Sequence, residues 1–218
     1  MSRPFTLRPR AVSGFALAAT LALSACGPII SFGDDGPGDS EYSLQYSGDY
    51  RSSGDDAPVI YVDEPHMADG LAGQKITVVL PGNKRSSLKG ARWSAPLSTL
   101  VRDYVARALG DKAGAHMIGE GGLDIHAGCR LGTKVWALEF VPGGNAQADK
   151  VEVAMELSLV RLSDSMLVSH PTFTASAPVR GAEGDAVAGA FRAAMADVAD
   201  DMGRWLKAQV STCEIAAK

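Results

Sequence analysis

Two alternating runs, Thr133 to Val141 and Val151 to Leu162, flank the turn-forming segment Pro142-Gly143-Gly144-Asn145, and they constrain this chain more than any other feature. Side chains alternate across a strand, so Val151, Val153, Met155, Leu157 and Leu159 share one face while Glu152, Glu156 and Ser158 share the other. Two such runs joined by a short turn read as antiparallel neighbours with one face on a core and the other partly wet. Such a sheet must be covered on its apolar face.

The rest of the chain supplies the cover. Ser94 is placed as an N-cap and Pro96 in a first helical turn, followed by Leu97, Leu100, Val101, Tyr104, Val105 and Ala108 at helical spacing; Gly110 reads as the stop. From about Asp185 to Gln209, Val187, Phe191, Met195, Val198, Met202, Trp205 and Leu206 form an apolar stripe, with acids near the start and Arg204 and Lys207 near the end, as the helix dipole favours. Shorter strands are expected at Tyr42–Tyr46, Val59–Val62 and Lys75–Leu80, and a third late strand at Met166–Ala177, interrupted by Pro171. The expected fold is a single α/β domain: a mixed, mostly antiparallel sheet packed with two main helices, about 95–109 and 185–209.

The N-terminus has a different character. Met1 to Arg10 carries Arg3, Arg8 and Arg10 and no acid, and Ala11 to Leu23 is almost wholly apolar but shorter than the roughly 20 residues a membrane span needs. Leu23-Ser24-Ala25-Cys26 resembles the bacterial lipobox, in which small residues admit the peptidase and the thiol accepts diacylglycerol. The expected organisation is a signal peptide over 1–25, a lipidated Cys26 with a Gly, Pro and Asp-rich tether over 26–40, and a folded domain over 41–218. Acyl chains on Cys26 would anchor the protein, each buried CH2 contributing about 0.8 kcal/mol. Gly27, rather than Asp, after the cysteine favours the outer membrane over the inner by resemblance to lipoprotein sorting rules.

Charge and cysteines narrow the function. Lys and Arg number 21 against 25 Asp and Glu, and the three leader arginines leave with the signal peptide, so the mature chain holds 18 against 25, a balance of −7 that argues against nucleic acid. Besides Cys26 there are only Cys129 and Cys213, an even pair in an oxidising compartment. A Cys129–Cys213 disulfide is the preferred reading, two separate buried thiols the alternative. There is no Gly-x-Ser-x-Gly elbow, no His-Glu-x-x-His and no phosphate loop. His66, after Asp63 and Glu64, and the pair His116 and His126 lack specific metal-ligand spacing, and Gly119-Glu120-Gly121-Gly122 reads as a turn. No metal, cofactor or catalytic residue is expected.

The lipobox, Tyr42-x-Leu44, Ile60-Tyr61-Val62, Lys75-Ile76-Thr77-Val78, Ala91-Arg92-Trp93-Ser94-Ala95-Pro96-Leu97, Glu139-Phe140 and Trp205-Leu206 together resemble the ABC-type transport auxiliary lipoprotein family, which includes paraquat-inducible protein C and companions of MCE-domain lipid transporters. The Ala-Arg-Trp-x-x-Pro-Leu segment is the most specific of these. The resemblance implies a periplasmic domain held at the outer membrane, working with an ABC permease, an ATPase and an MCE substrate-binding protein to move lipid, without catalysis. The Gly-rich stretch from Gly119 to Gly132 departs from the family pattern. Arg92 and Trp93, just before a helix, are the candidate partner contacts, because Trp and Arg are favoured interface anchors; the competing reading puts Trp93 in the core. Lipid and a second copy of the chain are further candidate partners. A stand-alone carrier, with the stripe of the last helix lining a cavity, is the alternative function.

Overall fold

The central strand, β7 (Cys129–Val141), is the longest, and the sheet is arranged around it. The computed structural model describes residues 38–49, 54–82, 84–119, 126–144, 148–181 and 183–214, and from Gly38 onward they form one compact unit. Cys26, the leader, most of the tether, Glu120-Gly121-Gly122 and Asn145 lie outside the described residues. Along one side of β7 runs β8 (Lys150–Arg161), antiparallel over the whole length. Along the other lie β2 (Val59–Val62), β3 (His66–Met67) and β4 (Lys75–Leu80), end to end and all parallel to β7. The sheet extends outward through β6 (His116–Ile118) beside β2, and through β5 (Lys84–Trp93) and β1 (Ser40–Tyr42) beyond β4. Beyond β8 lie β9 (Met166–Ser169) and β10 (Thr172–Pro178), both antiparallel to it. Among the described residues the result is a mixed ten-stranded sheet with two α-helices. Its long ladders are antiparallel, and the parallel ladders are at most three residue pairs long.

A bulge keeps β7 in phase with its neighbour. The register of β7 against β8 shifts between Val135 and Ala137. Before the shift Cys129, Leu131, Thr133 and Val135 are buried; after it Leu138 and Phe140 are. β8 keeps Val151 through Leu159 buried at every second position with no such change. One extra residue inverts the facing of everything beyond it, so the bulge at Trp136 is what allows both ends of β7 to face the core. Trp136 itself is left outside, 45% exposed.

Both helices, α1 (Leu97–Ala113) and α2 (Gly184–Gln209), pack on the face formed by the buried residues of β8. In the α2 stripe Val187, Phe191, Met195, Val198, Met202 and Leu206 are at most 1% exposed and Trp205 is partly buried against Phe173, so the stripe packs in the core, which counts against the premise of the carrier reading. α1 departs from expectation at both ends: its N-cap position is Pro96, not Ser94, and it runs through Gly110 to stop at Gly114, whose φ of 69° is the left-handed conformation that glycine favours at a C-cap. β5 was not expected, because Lys84, Arg85, Lys89 and Arg92 interrupt any apolar alternation and only its last residues are buried. β7 starts at Cys129, four residues earlier than the pattern indicates, because Cys129–Leu131 pair with both β2 and β8. The predicted strand over 42–46 is displaced to Ser40–Tyr42, although Leu44 and Tyr46 are buried, and the strand expected over 166–177 is divided at His170-Pro171.

Candidate docking surfaces

Consecutive residues of a strand point to opposite faces, and this separates the two candidate contacts. Trp93 is 1% exposed, its ring edge-on to Phe191 at 5.4 Å between centroids. It presents nothing to a partner, so its reading as a contact residue is corrected: it holds α2 against the sheet. Its Nε1 is buried with no hydrogen-bond partner among the described residues, so the ring is kept there for shape. Arg92, one residue earlier, is exposed and ion-paired with Glu41 of β1. Nearby, the Tyr42 hydroxyl donates to Asp185 Oδ1 at 2.9 Å, a bond that holds the phenol pKa above its ordinary value. Glu41, Tyr42, Asp185 and Arg192 line a cleft of about 380 Å³ between β1 and the start of α2.

Cys129 and Cys213 are joined by a disulfide with Cα atoms 5.1 Å apart, tying a 3-10 turn (Val210–Cys213) that follows α2 to the first residue of β7. Gly128 makes the approach possible, because a Cβ there would lie 1.7 Å from the Cys213 carbonyl oxygen. Both sulfur-bearing residues are fully buried.

The face of the sheet away from the helices carries the most organised polar cluster. Lys134 Nζ sits 3.5 Å from the centroid of the Trp136 ring, a cation–π contact. The Trp136 Nε1–H donates to Glu156 Oε2 at 3.1 Å, and His170 Nε2 lies 2.9 Å from Glu156 Oε1. The indole hydrogen bond is the chief reason the Glu156 carboxyl titrates below its ordinary value, with the His170 contact adding to it. Arg130 pairs with Asp63 at 2.7 Å further along the same strand. Beside the cluster, Ala137, Glu152, Ala154, Thr174 and Ser176 line a shallow trough of about 430 Å³.

Noncovalent recognition is what these groups can do: stacking, charge-assisted hydrogen bonds and backbone contact across small side chains. His116 lies against the Gly54 carbonyl, His66 sits on β3, and among the described residues no three His, Cys, Asp or Glu side chains gather as a metal site. The cluster of Lys134, Trp136, Glu156 and His170 was not identified from sequence. Glu156 was expected on the wetter face, but the outward turn of Trp136 depends on a bulge that alternation alone does not reveal.

The fold is a single mixed α/β domain in which, among the described residues, helices cover one sheet face and leave the other open. The model of the ABC-type transport auxiliary lipoprotein component family matches residues 42–203, and the chain belongs to that family. A crystal structure of a protein from Xanthomonas campestris, assigned to a domain family of unknown function, is 22% identical and superposes with a TM-score of 0.64 over 79% of this chain and 95% of that one. The crystal structure of an uncharacterized protein, 14% identical, gives a TM-score of 0.60 over 78% of this chain and 99% of its own. These likenesses concern the fold. No curated protein matches the chain in sequence.

Proposed function

We propose that this chain is the lipoprotein subunit of an ABC-type system that moves lipid between membranes, acylated at Cys26, held at the periplasmic face of the outer membrane and docked to an MCE-domain substrate-binding protein. Membership of the transport auxiliary family over residues 42–203 carries the reading. The leader with Leu23-Ser24-Ala25-Cys26 supports the anchor, and among the described residues no helix is long and apolar enough to cross a membrane. Anchor and domain then act as two linked binding sites, the tether setting the effective concentration of the domain at its partner. The role requires recognition and no bond-making, which the polar, shallow surfaces suit.

Arg92 is the partner contact we retain: it is exposed, on β5 beside the edge strand β1, and paired with the equally exposed Glu41. Affinity capture of the acylated protein from solubilised envelopes, read by mass spectrometry, tests the proposal. The expected result is stoichiometric recovery of an MCE protein with its permease and ATPase, reduced by Arg92→Ala at unchanged expression. Recovery of lipid with no transporter component would overturn it in favour of the carrier.

A further inference from the structure

Charge is unevenly spread along this acidic chain. Gly70 to Arg102 is a run of 33 residues without Asp or Glu, and it carries Lys75, Lys84, Arg85, Lys89, Arg92 and Arg102, a third of the 18 cations of the mature chain. All but Arg102 lie on the antiparallel pair β4 and β5, and all of those are exposed. Arg85 meets Glu139 at 3.5 Å and Arg92 pairs with Glu41, while Lys75, Lys84 and Lys89 have no charged partner among the described residues. Leu80, 38% exposed, stands opposite Lys84 at the last pair before the turn.

The pairing fixes which end of this hairpin faces the anchor's attachment. β1 runs parallel to β5 with Ser40 opposite Ala91, so the chain enters β1 from the end at which Lys84 and the turn lie. Lys84 is seven residues before Ala91, about 23 Å along the strand, and the twelve residues from Cys26 to Gly38 span at most about 40 Å. A membrane that holds Cys26 is therefore within reach of the hairpin tip.

We propose that the tip of the β4–β5 hairpin is a second membrane contact, Lys84, Arg85 and Lys89 meeting the phosphates of anionic lipid while Leu80 enters the interface beside them. The inference rests on the reading of Cys26 as a lipid anchor, which supplies the surface. The arrangement selects a bilayer over an acidic protein. Lys84 and Leu80 share one face of the hairpin and Arg85 and Val79 the other, so the cations straddle its tip. A plane laid across the tip meets both faces at once, whereas a protein docked on either face of the sheet would leave part of the charge unused. Lysine stems also reach along apolar surface while their heads stay in water, as an interface requires. Each lysine near an anionic bilayer is worth about fivefold in affinity.

The test places a fluorophore on Ser86→Cys in the full acylated chain and reads its quenching by nitroxide-bearing lipid in vesicles of phosphatidylcholine with or without phosphatidylglycerol. Thr172→Cys, exposed on β10 across the sheet, carries the control label. The expected result is quenching at Ser86 that rises with phosphatidylglycerol, falls in high salt and is absent at Thr172. Lys84→Gln and Lys89→Gln are each expected to weaken the contact about fivefold without changing the melting transition. Equal quenching on neutral and anionic vesicles, equal quenching at Thr172, or indifference to both lysine variants overturns the proposal. So does a Ser86 label that only an added MCE protein shields, which would assign the hairpin to a protein partner. If Cys26 proves to carry no lipid, the anchored reading fails by itself, and sedimentation of the unanchored chain with anionic vesicles still reads the hairpin. Loss of transporter capture with the lipid contact retained would count against the proposed function alone.

Discussion

Trp93 and Arg92 are neighbours in sequence, yet they belong to different parts of the molecule's energetics. Removing the Trp93 ring from its place against Phe191 leaves a cavity between α2 and the sheet, so Trp93→Ala is expected to lower unfolding free energy by about 3–5 kcal/mol. Trp93→Phe keeps most of the shape and removes an indole N–H that has no partner among the described residues, so its cost is expected to be clearly smaller. Arg92→Ala breaks an exposed ion pair and is expected to change stability by no more than about 1 kcal/mol. Urea denaturation of the three variants checks this order, and equal costs for Trp93→Ala and Arg92→Ala would contradict it. The same pair marks what was legible at this scale. The sequence places a Trp beside an Arg ahead of a helix, but which one faces inward depends on the phase of β5, a strand that its own charges conceal.

Elements were legible where one apolar period runs uninterrupted. α2 keeps a helical stripe for its full length, and its predicted limits differ from Gly184–Gln209 by one residue. β8 alternates without a break. Where a glycine or a bulge intervenes, pattern and structure part. Gly110 reads as a helix stop, yet it lies within α1, and the stop is Gly114 at φ 69°. The two glycines should respond oppositely to the same change. A Cβ at Gly110 would make ordinary contacts at 3.6 Å, so Gly110→Ala is expected to stabilise by about 0.5–1 kcal/mol. Gly114→Ala forces a left-handed residue and is expected to cost about 1 kcal/mol. Thermal melts of both variants test the pair, and a shift of the same sign in both would refute the assignment of the cap.

At the scale of the whole molecule, the described helices cover one side of the sheet, and the chain's late residues return to its central strand through the disulfide. The 84-residue separation between Cys129 and Cys213 makes the cross-link worth about 4–5 kcal/mol in the chain-entropy model. Cys213→Ala or full reduction is therefore expected to lower stability by several kcal/mol, measured by reversible denaturation with and without reductant; a change below about 1 kcal/mol would mean the constraint is already met by packing. Composition and the cysteine count pointed to this bond, but Gly128, the residue that admits it, carried no signal until its distance to Cys213 was known. The Lys134, Trp136, Glu156 and His170 cluster was hidden for a related reason: its members come from β7, β8 and the link between β9 and β10, and only the sheet register brings them together.

The parallel pairing of β1 with β5 has a mechanical consequence. Any pull that reaches the domain through the residues before Gly38 is first felt at Ser40. Directed along the strand, it loads the β1–β5 hydrogen bonds together in shear, rather than peeling them one at a time. The Glu41–Arg92 and Tyr42–Asp185 contacts and the Ser94 N–H bond to the Tyr42 carbonyl share that load, and they pass it to β5, α2 and the start of α1. A three-residue strand thus meets such a pull at the margin of the sheet, with β5 and β4 lying between it and β7.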